Sequence, residues 1–370
     1  MITRLHLRNF TVFAAVDLEF SSQLNVIIGE NGTGKTHLLK VLYAMQRVAA
    51  FQGRRSEHRS TAASEQSTGL KLQNVFRVQE SQDLVRNAAP RTEAVAEVTF
   101  NSPEEVLRYS TLSEPGAFTI EKNRRAGDWE KRLGVYLPAR EMLTIFPNFV
   151  SVYESTVLEF DETWRDTSVL LGAPQLRNPD PWAMKAIEQL GRLIGGEIVL
   201  QSGRFYLKVG KTMREASLLA EGHRKLATVA QLIANGSLQN GSCLFWDEPE
   251  ANLNPKLVRQ AAQVIMVLAR EGVQVFIATH SLFLLRELEI LGETDFAGSV
   301  AARYFGLHGS QQGVEVMQGD TPYDMGNIAA LEEELRQTDR FLAANEFARE
   351  RLEAAQSGKR KTKKPKRQIG

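Results

Sequence analysis

Apolar and polar residues alternate along residues 2–7 and 12–20, and residues 24–28 form a short apolar run that ends on Gly29. A period of two marks a half-buried strand and a short unbroken run a buried one, so three strands are expected. From Lys35 to Val48 the period changes, and Leu38, Leu39, Val41, Leu42 and Met45 fall on one helical face. Strand, loop and helix therefore follow one another directly. Between residues 52 and 69 Arg, Ser, Glu, Gln, Thr and Ala dominate, a composition too polar to order itself, so a mobile loop is expected there. Strand-like stretches return at 95–100, 106–112, 118–122 and 135–137, and Ser202-Gly203 joins 198–200 to 205–209 as a hairpin. The last third alternates again: a helix over 216–234, a strand at 243–246, a helix from Pro255, a strand at 273–278 and a helix after His280. Such alternation predicts a mainly parallel sheet covered by helices. The expected organisation is one α/β body in two parts, 1–50 and 216–320, with an α+β lobe inserted at 51–215. Residues 321–370 are expected to hold a helix with an apolar face, over 328–355, and a basic tail.

Charge and cysteine content narrow the function. The 370 residues carry a net charge of +1, yet seven of the bases sit within 359–367. Without them the chain is mildly acidic, which excludes a general polyanion-coating surface and confines any nucleic-acid affinity to the tail. That tail either contacts phosphates or an acidic partner, or stays solvated. One cysteine, Cys243, cannot form an internal disulfide, in keeping with a reducing, cytoplasmic setting. Asp17 and Glu19 lie where a signal peptide would need an apolar core, and no stretch approaches a membrane span, so neither leader nor membrane partner is expected.

Three short motifs carry chemistry. Gly29-Glu30-Asn31-Gly32-Thr33-Gly34-Lys35-Thr36 satisfies G-x-x-x-x-G-K-[ST]. Its glycines let backbone N–H groups face phosphate oxygens, and the following helix presents its positive end to the same anion. Lys35 is expected to reach the β- and γ-phosphates and the Thr36 hydroxyl to ligate Mg²⁺. Leu244-Phe245-Trp246-Asp247-Glu248-Pro249 is an apolar strand ending in two acids. Asp247 would hold the metal, as a Walker B acid does, and Glu248 would orient or deprotonate an attacking water. Ala278-Thr279-His280-Ser281 closes another apolar strand, where His280 would sense the γ-phosphate. The histidines and Cys243 show no zinc-ligand spacing.

The order of residues 1–10, GENGTGKT, a long insertion, LLAEGHRKLA, FWDEPEANLNP and ATHS resembles the ABC-type ATPase heads of the RecF, SMC and OLD-like group, often called AAA family ATPases. The resemblance implies ATP and Mg²⁺ as cofactors, and two copies of the head clamping ATP between them. It implies that Leu219-Ala220-Glu221-Gly222-His223 is the signature motif, with Glu221 and Gly222 at the γ-phosphate held by the second subunit. Ala220 stands where many members carry serine, which removes one hydroxyl contact. Residues 251–255 look like the D-loop. The Q-loop is not assigned, and Arg140, in Leu137-Pro138-Ala139-Arg140-Glu141, is open between a phosphate contact and a loop ion pair.

Beyond His280 there is no Glu followed by Asp-x-Asp of a fused TOPRIM nuclease, and the insertion lacks the heptads of an SMC arm. The remaining features resemble stand-alone ATPase subunits of two-gene anti-phage systems of the Septu and PARIS type, which act through a separately encoded effector. The expectation is an ATP hydrolase with a P-loop NTPase, ABC-ATPase-like head: a mainly parallel sheet plus N-terminal antiparallel strands and the inserted α+β lobe. Alternatives are a RecF-like DNA repair ATPase and a nucleotide-gated scaffold that scarcely turns over.

Overall fold

The N-terminal strands β1 (Ile2–Phe10) and β2 (Phe13–Glu19) form an antiparallel pair that closes with Phe10 opposite Phe13. The chain then leaves through β3 (Leu24–Gly29) and the helix α1 (Lys35–Gly53). It returns to the free edge of β1 with β4 (Glu93–Phe100), followed by β5 (Glu105–Leu112) and β6 (Phe118–Lys122). The result is a five-stranded antiparallel sheet in the order β2-β1-β4-β5-β6. This computed structural model describes residues 1–53, 61–87, 89, 91–101, 103–114, 118–122, 134–294, 300–311, 313–327 and 329–361.

A second sheet positions the candidate site. It runs β14-β13-β3-β12-β11-β7, with β7 (Val135–Leu137), β11 (Cys243–Asp247), β12 (Gln274–Thr279), β13 (Ala302–Ser310) and β14 (Gly313–Gly319). All neighbours pair in parallel except β13 with β14. Every residue of β3, β7, β11 and β12 is buried, as expected of parallel strands covered on both faces. Phe245 stacks on Phe276 at 5.0 Å between ring centres, and Tyr43 of α1 meets Phe245 edge-on at 5.9 Å. A third, three-stranded sheet contains β8 (Glu197–Gln201), β9 (Arg204–Val209) and β10 (Thr212–Glu215). Ser202 and Gly203 turn between β8 and β9 with φ of 49° and 73°, the left-handed pair that a two-residue hairpin requires.

The α/β P-loop architecture with a mainly parallel sheet and antiparallel N-terminal strands is therefore the one the pattern predicts. Several local expectations need correction. Within 52–69, expected as a mobile loop, α1 continues to Gly53 and a further helix α2 (Thr61–Phe76) begins, while 54–60 lie outside the described residues. Beyond that stretch α2 is tied down by buried Leu72 and Val75 and by Lys71, which donates to Asp166 and pairs with Glu162 at 3.1 Å. Three helices absent from the expected pattern come next: α3 (Phe149–Ser155), α4 (Glu162–Leu171) and α5 (Pro181–Ile194). The helix expected over 216–234 is α6 (Glu221–Ala234), preceded by a 3₁₀ turn at Ala216–Leu218. After it come α7 (Pro255–Arg270) and α8 (Leu282–Gly292).

Met1–Gly326 forms one compact unit and Asn327–Gly370 another. The second contains α9 (Ala329–Lys361), on which Leu335, Phe341, Leu342, Phe347 and Leu352 are all exposed. Of the basic tail, 362–367 lie outside the described residues.

Candidate functional site

The loop between β3 and α1 is built by its glycines. A Cβ on Gly29 would lie 2.8 Å from the Leu307 carbonyl oxygen of the neighbouring strand and 2.8 Å from Thr33 Oγ1. Gly32 and Gly34 have φ of 83° and 89°, a left-handed conformation that side chains resist. Thr33 Oγ1 donates to the Glu30 carbonyl at 2.8 Å, closing the turn. Glu30, Asn31 and Gly32 are exposed at its tip. Lys35 is buried, and its ammonium donates back to the carbonyls of Gly29 (2.8 Å) and Glu30 (2.9 Å). Burial pushes the Lys35 pKa down, against the pull of Glu248 and Asp247.

Two more strand ends meet this loop. Asp247, the last residue of β11, accepts from the Thr36 hydroxyl at 2.9 Å and from the Tyr136 hydroxyl at 3.3 Å. Burial pushes its carboxyl above the usual range, and the two hydroxyl bonds offset this only in part. A hydroxyl and a poorly compensated carboxylate side by side are hard oxygen donors of the type that hold Mg²⁺ with retained waters, so Thr36 and Asp247 fit the metal the sequence implies. Glu248 follows with φ of 45°, its N–H donating to the Ala278 carbonyl at 2.8 Å. Its Oε1 lies 3.3 Å from His280 Nδ1. Behind them buried Glu250 accepts from Thr279 Oγ1 (2.6 Å) and from the His280 backbone N–H (3.3 Å), fixing the end of β12. Ser281 then caps α8, accepting from Leu284 N–H at 3.2 Å.

The structure therefore brings together Lys35, Thr36, Asp247, Glu248 and His280. Glu221 and Gly222 sit elsewhere. Glu221 Oε1 accepts from Asn252 Nδ2 at 2.8 Å, and a Cβ on Gly222 would meet Leu257 Cδ1 at 2.7 Å and Leu253 Cδ2 at 2.8 Å. Among the described residues neither bonds to the loop 29–36. Ala220 is the N-cap of α6 and offers no side-chain cap, whereas Asn254 caps α7 by accepting from Leu257 N–H at 3.0 Å.

Two contributors escape sequence reasoning. Tyr136 reaches Asp247 across 111 residues of chain. Lys225 is buried in α6 and donates to the carbonyls of Glu248 (2.7 Å) and Ala251 (3.1 Å), with its pKa pushed down to about 8 by burial. A basic residue on the inward face of an amphipathic helix was the one available signal, and it names no partner.

Residues 1–151 match the family model described as an AAA ATPase domain. Residues 150–286 match an AAA domain family whose description names an AbiEii toxin and a Type IV TA system. The DNA replication and repair protein RecF of Actinobacillus succinogenes is 43% identical over 51 residues, which are 14% of this chain and 14% of that protein. RecF of Streptococcus uberis is 52% identical over 42 residues, 11% of this chain and 12% of that one. The chain thus spans about a seventh of the length of the RecF proteins it matches. Among solved structures, an SMC head bound to the C-winged helix domain of ScpA superposes with a TM-score of 0.56 at 14% identity, covering 88% of this chain and 99% of that one. The chain has the α/β fold of an SMC-type P-loop ATPase head, with AAA ATPase sequence character on both sides of its middle.

Proposed function

We propose that this chain is a Mg²⁺-dependent ATP hydrolase that closes as a pair of heads around ATP. The observation that carries the reading is the 2.9 Å bond from Thr36 to Asp247, which joins the phosphate loop to the acidic end of β11. Backbone N–H groups of 29–36 would cradle the phosphates. Lys35 would exchange its two loop carbonyls for phosphate oxygens, a trade favoured because its charge is poorly solvated where it lies. Thr36 and Asp247 would hold Mg²⁺, which when bound would supply positive charge beside the transferring phosphoryl group. Glu248 would orient the attacking water and take its proton, and His280, whose Nδ1 lies 3.3 Å from the Glu248 carboxylate, would sense the γ-phosphate. Little covalent chemistry is required beyond this positioning.

Glu221 and Gly222 of the second head would complete the clamp, which is consistent with their having no bond to their own phosphate loop. Closure and reopening would drive a separately encoded effector in anti-phage defence within the cytoplasm. The match to a family described with a Type IV TA system supports a defence setting. The RecF-matching stretch favours a second reading, a DNA repair ATPase whose closed dimer binds duplex DNA. Hydrolysis stimulated by duplex DNA, lost on removing 359–367, separates that reading from the first. The clamp itself is tested by the mass of Glu248→Gln with and without Mg²⁺-ATP. A doubled mass with nucleotide is expected; an unchanged mass would contradict the clamp.

A further inference from the structure

The strand β7 is three residues long and lies at the outer edge of its sheet, paired with β11. A buried edge carbonyl needs a donor from outside the ladder. The inserted lobe supplies one: the Thr167 hydroxyl of α4 donates to the Tyr136 carbonyl, and both residues are buried. The buried side of α4 is largely polar, with Thr163, Asp166, Thr167 and Ser168 beside Leu171. An inward helix face is ordinarily apolar, and buried polar groups are costly unless bonded. This face therefore holds partners rather than filling a core.

Two consecutive residues of α4 hold Tyr136. Thr167 fixes its backbone. Asp166 fixes its ring through Tyr43: the carboxylate accepts from the Tyr43 hydroxyl at 2.6 Å, and the two tyrosine rings meet edge-on at 5.4 Å. Lys71 of α2 donates to the same carboxylate, and Arg47 of α1 lies 3.5 Å from it. Burial pushes the Asp166 carboxyl up, but Lys71 and Arg47 outweigh it and hold the group below the usual carboxylate range. Lys40 of α1 pairs with Asp161, the N-cap of α4, at 2.9 Å. Thus α4 is also tied to the helix that begins with Lys35 and Thr36. Burial pushes the Tyr136 hydroxyl above the usual tyrosine value, so it stays protonated and donates. It meets Asp247 Oδ2, the oxygen that also accepts from Thr36, at 3.3 Å. An O–H···O bond of that length is stretched past its optimum, so its strength depends on where the donor is held.

We propose that Thr167 is a positioning residue for the metal-holding carboxylate: its bond to the Tyr136 carbonyl sets where the Tyr136 hydroxyl meets Asp247. The inference rests on the proposed Mg²⁺ site of Thr36 and Asp247. It gives the inserted lobe a part in the chemistry, carried from α4 to Asp247 by two hydrogen bonds. The test is Mg²⁺ titration of ATP hydrolysis by the full chain, comparing wild type, Thr167→Val, Thr167→Ser, Tyr136→Phe and the double variant Thr167→Val/Tyr136→Phe. Thr167→Val keeps the side-chain shape and loses the donor. It is expected to raise the Mg²⁺ concentration for half-maximal hydrolysis about two- to tenfold, the range of one neutral hydrogen bond, with a smaller change in maximal rate. Thr167→Ser loses a buried methyl group and keeps the donor, so its melting temperature should fall while its Mg²⁺ requirement stays that of the wild type. In the Tyr136→Phe background Thr167→Val should add nothing to the Mg²⁺ requirement, because the path to Asp247 is already cut. An unchanged requirement in Thr167→Val, or an equal rise with and without the Tyr136 hydroxyl, would overturn the inference and leave the metal site intact. A raised requirement in Thr167→Ser would assign the effect to packing and overturn it as well. Hydrolysis by the wild type that is independent of Mg²⁺ would overturn the metal site and the inference together.

Discussion

The Lys225 ammonium donates to the Glu248 carbonyl at 2.7 Å, so a buried cation on α6 holds the turn that presents the Glu248 carboxylate, the proposed base. Glu248 has φ of 45°, a conformation that persists only where its surroundings enforce it. The same ammonium holds Ala251 at 3.1 Å, which joins the start of α6 to the loop leading into α7.

Replacing this cation has a pH signature. Burial lowers Lys225 from 10.5 to about 8. Below about 8 folded and unfolded chains both hold the proton; between 8 and 10.5 the unfolded chain holds a proton the folded one has released. Stability against unfolding attributable to this group therefore rises with pH across that window. Urea midpoints of wild type and Lys225→Met at the two ends of the window should show a rise in the wild type that the variant lacks. Parallel pH dependence in the two would contradict the assignment.

Asp247 sets function against stability. Burial raises its folded pKa above 3.8, so its contribution to stability falls as pH rises through the interval above that value and stays lost at neutral pH. Asp247→Asn keeps an acceptor for Thr36 and removes the buried charge. Thermal unfolding without nucleotide should show the variant more stable by about 1 kcal/mol, with Mg²⁺-ATP hydrolysis abolished and no stabilisation by Mg²⁺. A less stable variant that still hydrolyses would refute this.

Tyr136 acts on the site through Asp247, to which its hydroxyl donates. Tyr136→Phe removes one hydrogen bond, leaves Thr36 in place and should raise the Mg²⁺ concentration for half-maximal hydrolysis several-fold while the maximal rate changes less. An unchanged Mg²⁺ requirement would make the 3.3 Å contact incidental.

Legibility in the sequence depended on distance along the chain. The phosphate loop, the acids where β11 ends and His280 each announce themselves within a few residues, because strand, turn and helix there are consecutive. Partners far apart leave no local trace: Tyr136 with Asp247, Lys225 with Glu248, and Asp166 with Tyr43 at 2.6 Å and with Lys71. The helix α2 was hidden because its first half is polar and its buried residues, Leu72 and Val75, are few. The hairpin β13–β14 was hidden because Gly306, Gly309 and Gly313 interrupt the strand pattern. Gly306 lies where a Cβ would run into the Met325 carbonyl oxygen.

Gly222 tests packing separately from phosphate approach. A methyl group there meets the ends of Leu253 and Leu257, flexible side chains that yield at a cost of about 1–3 kcal/mol. Gly222→Ala should therefore unfold earlier than wild type even without nucleotide. Equal melting temperatures would mean that Leu253 and Leu257 move aside freely.

Phosphate release in Mg²⁺-ATP by the wild type, Lys35→Ala and Glu248→Gln tests the central claim most directly. The wild type should turn over, Lys35→Ala should fail to bind ATP, and Glu248→Gln should bind it yet hydrolyse about 100-fold more slowly or less. Hydrolysis by Glu248→Gln at the wild-type rate, or none by the wild type, would contradict the mechanism.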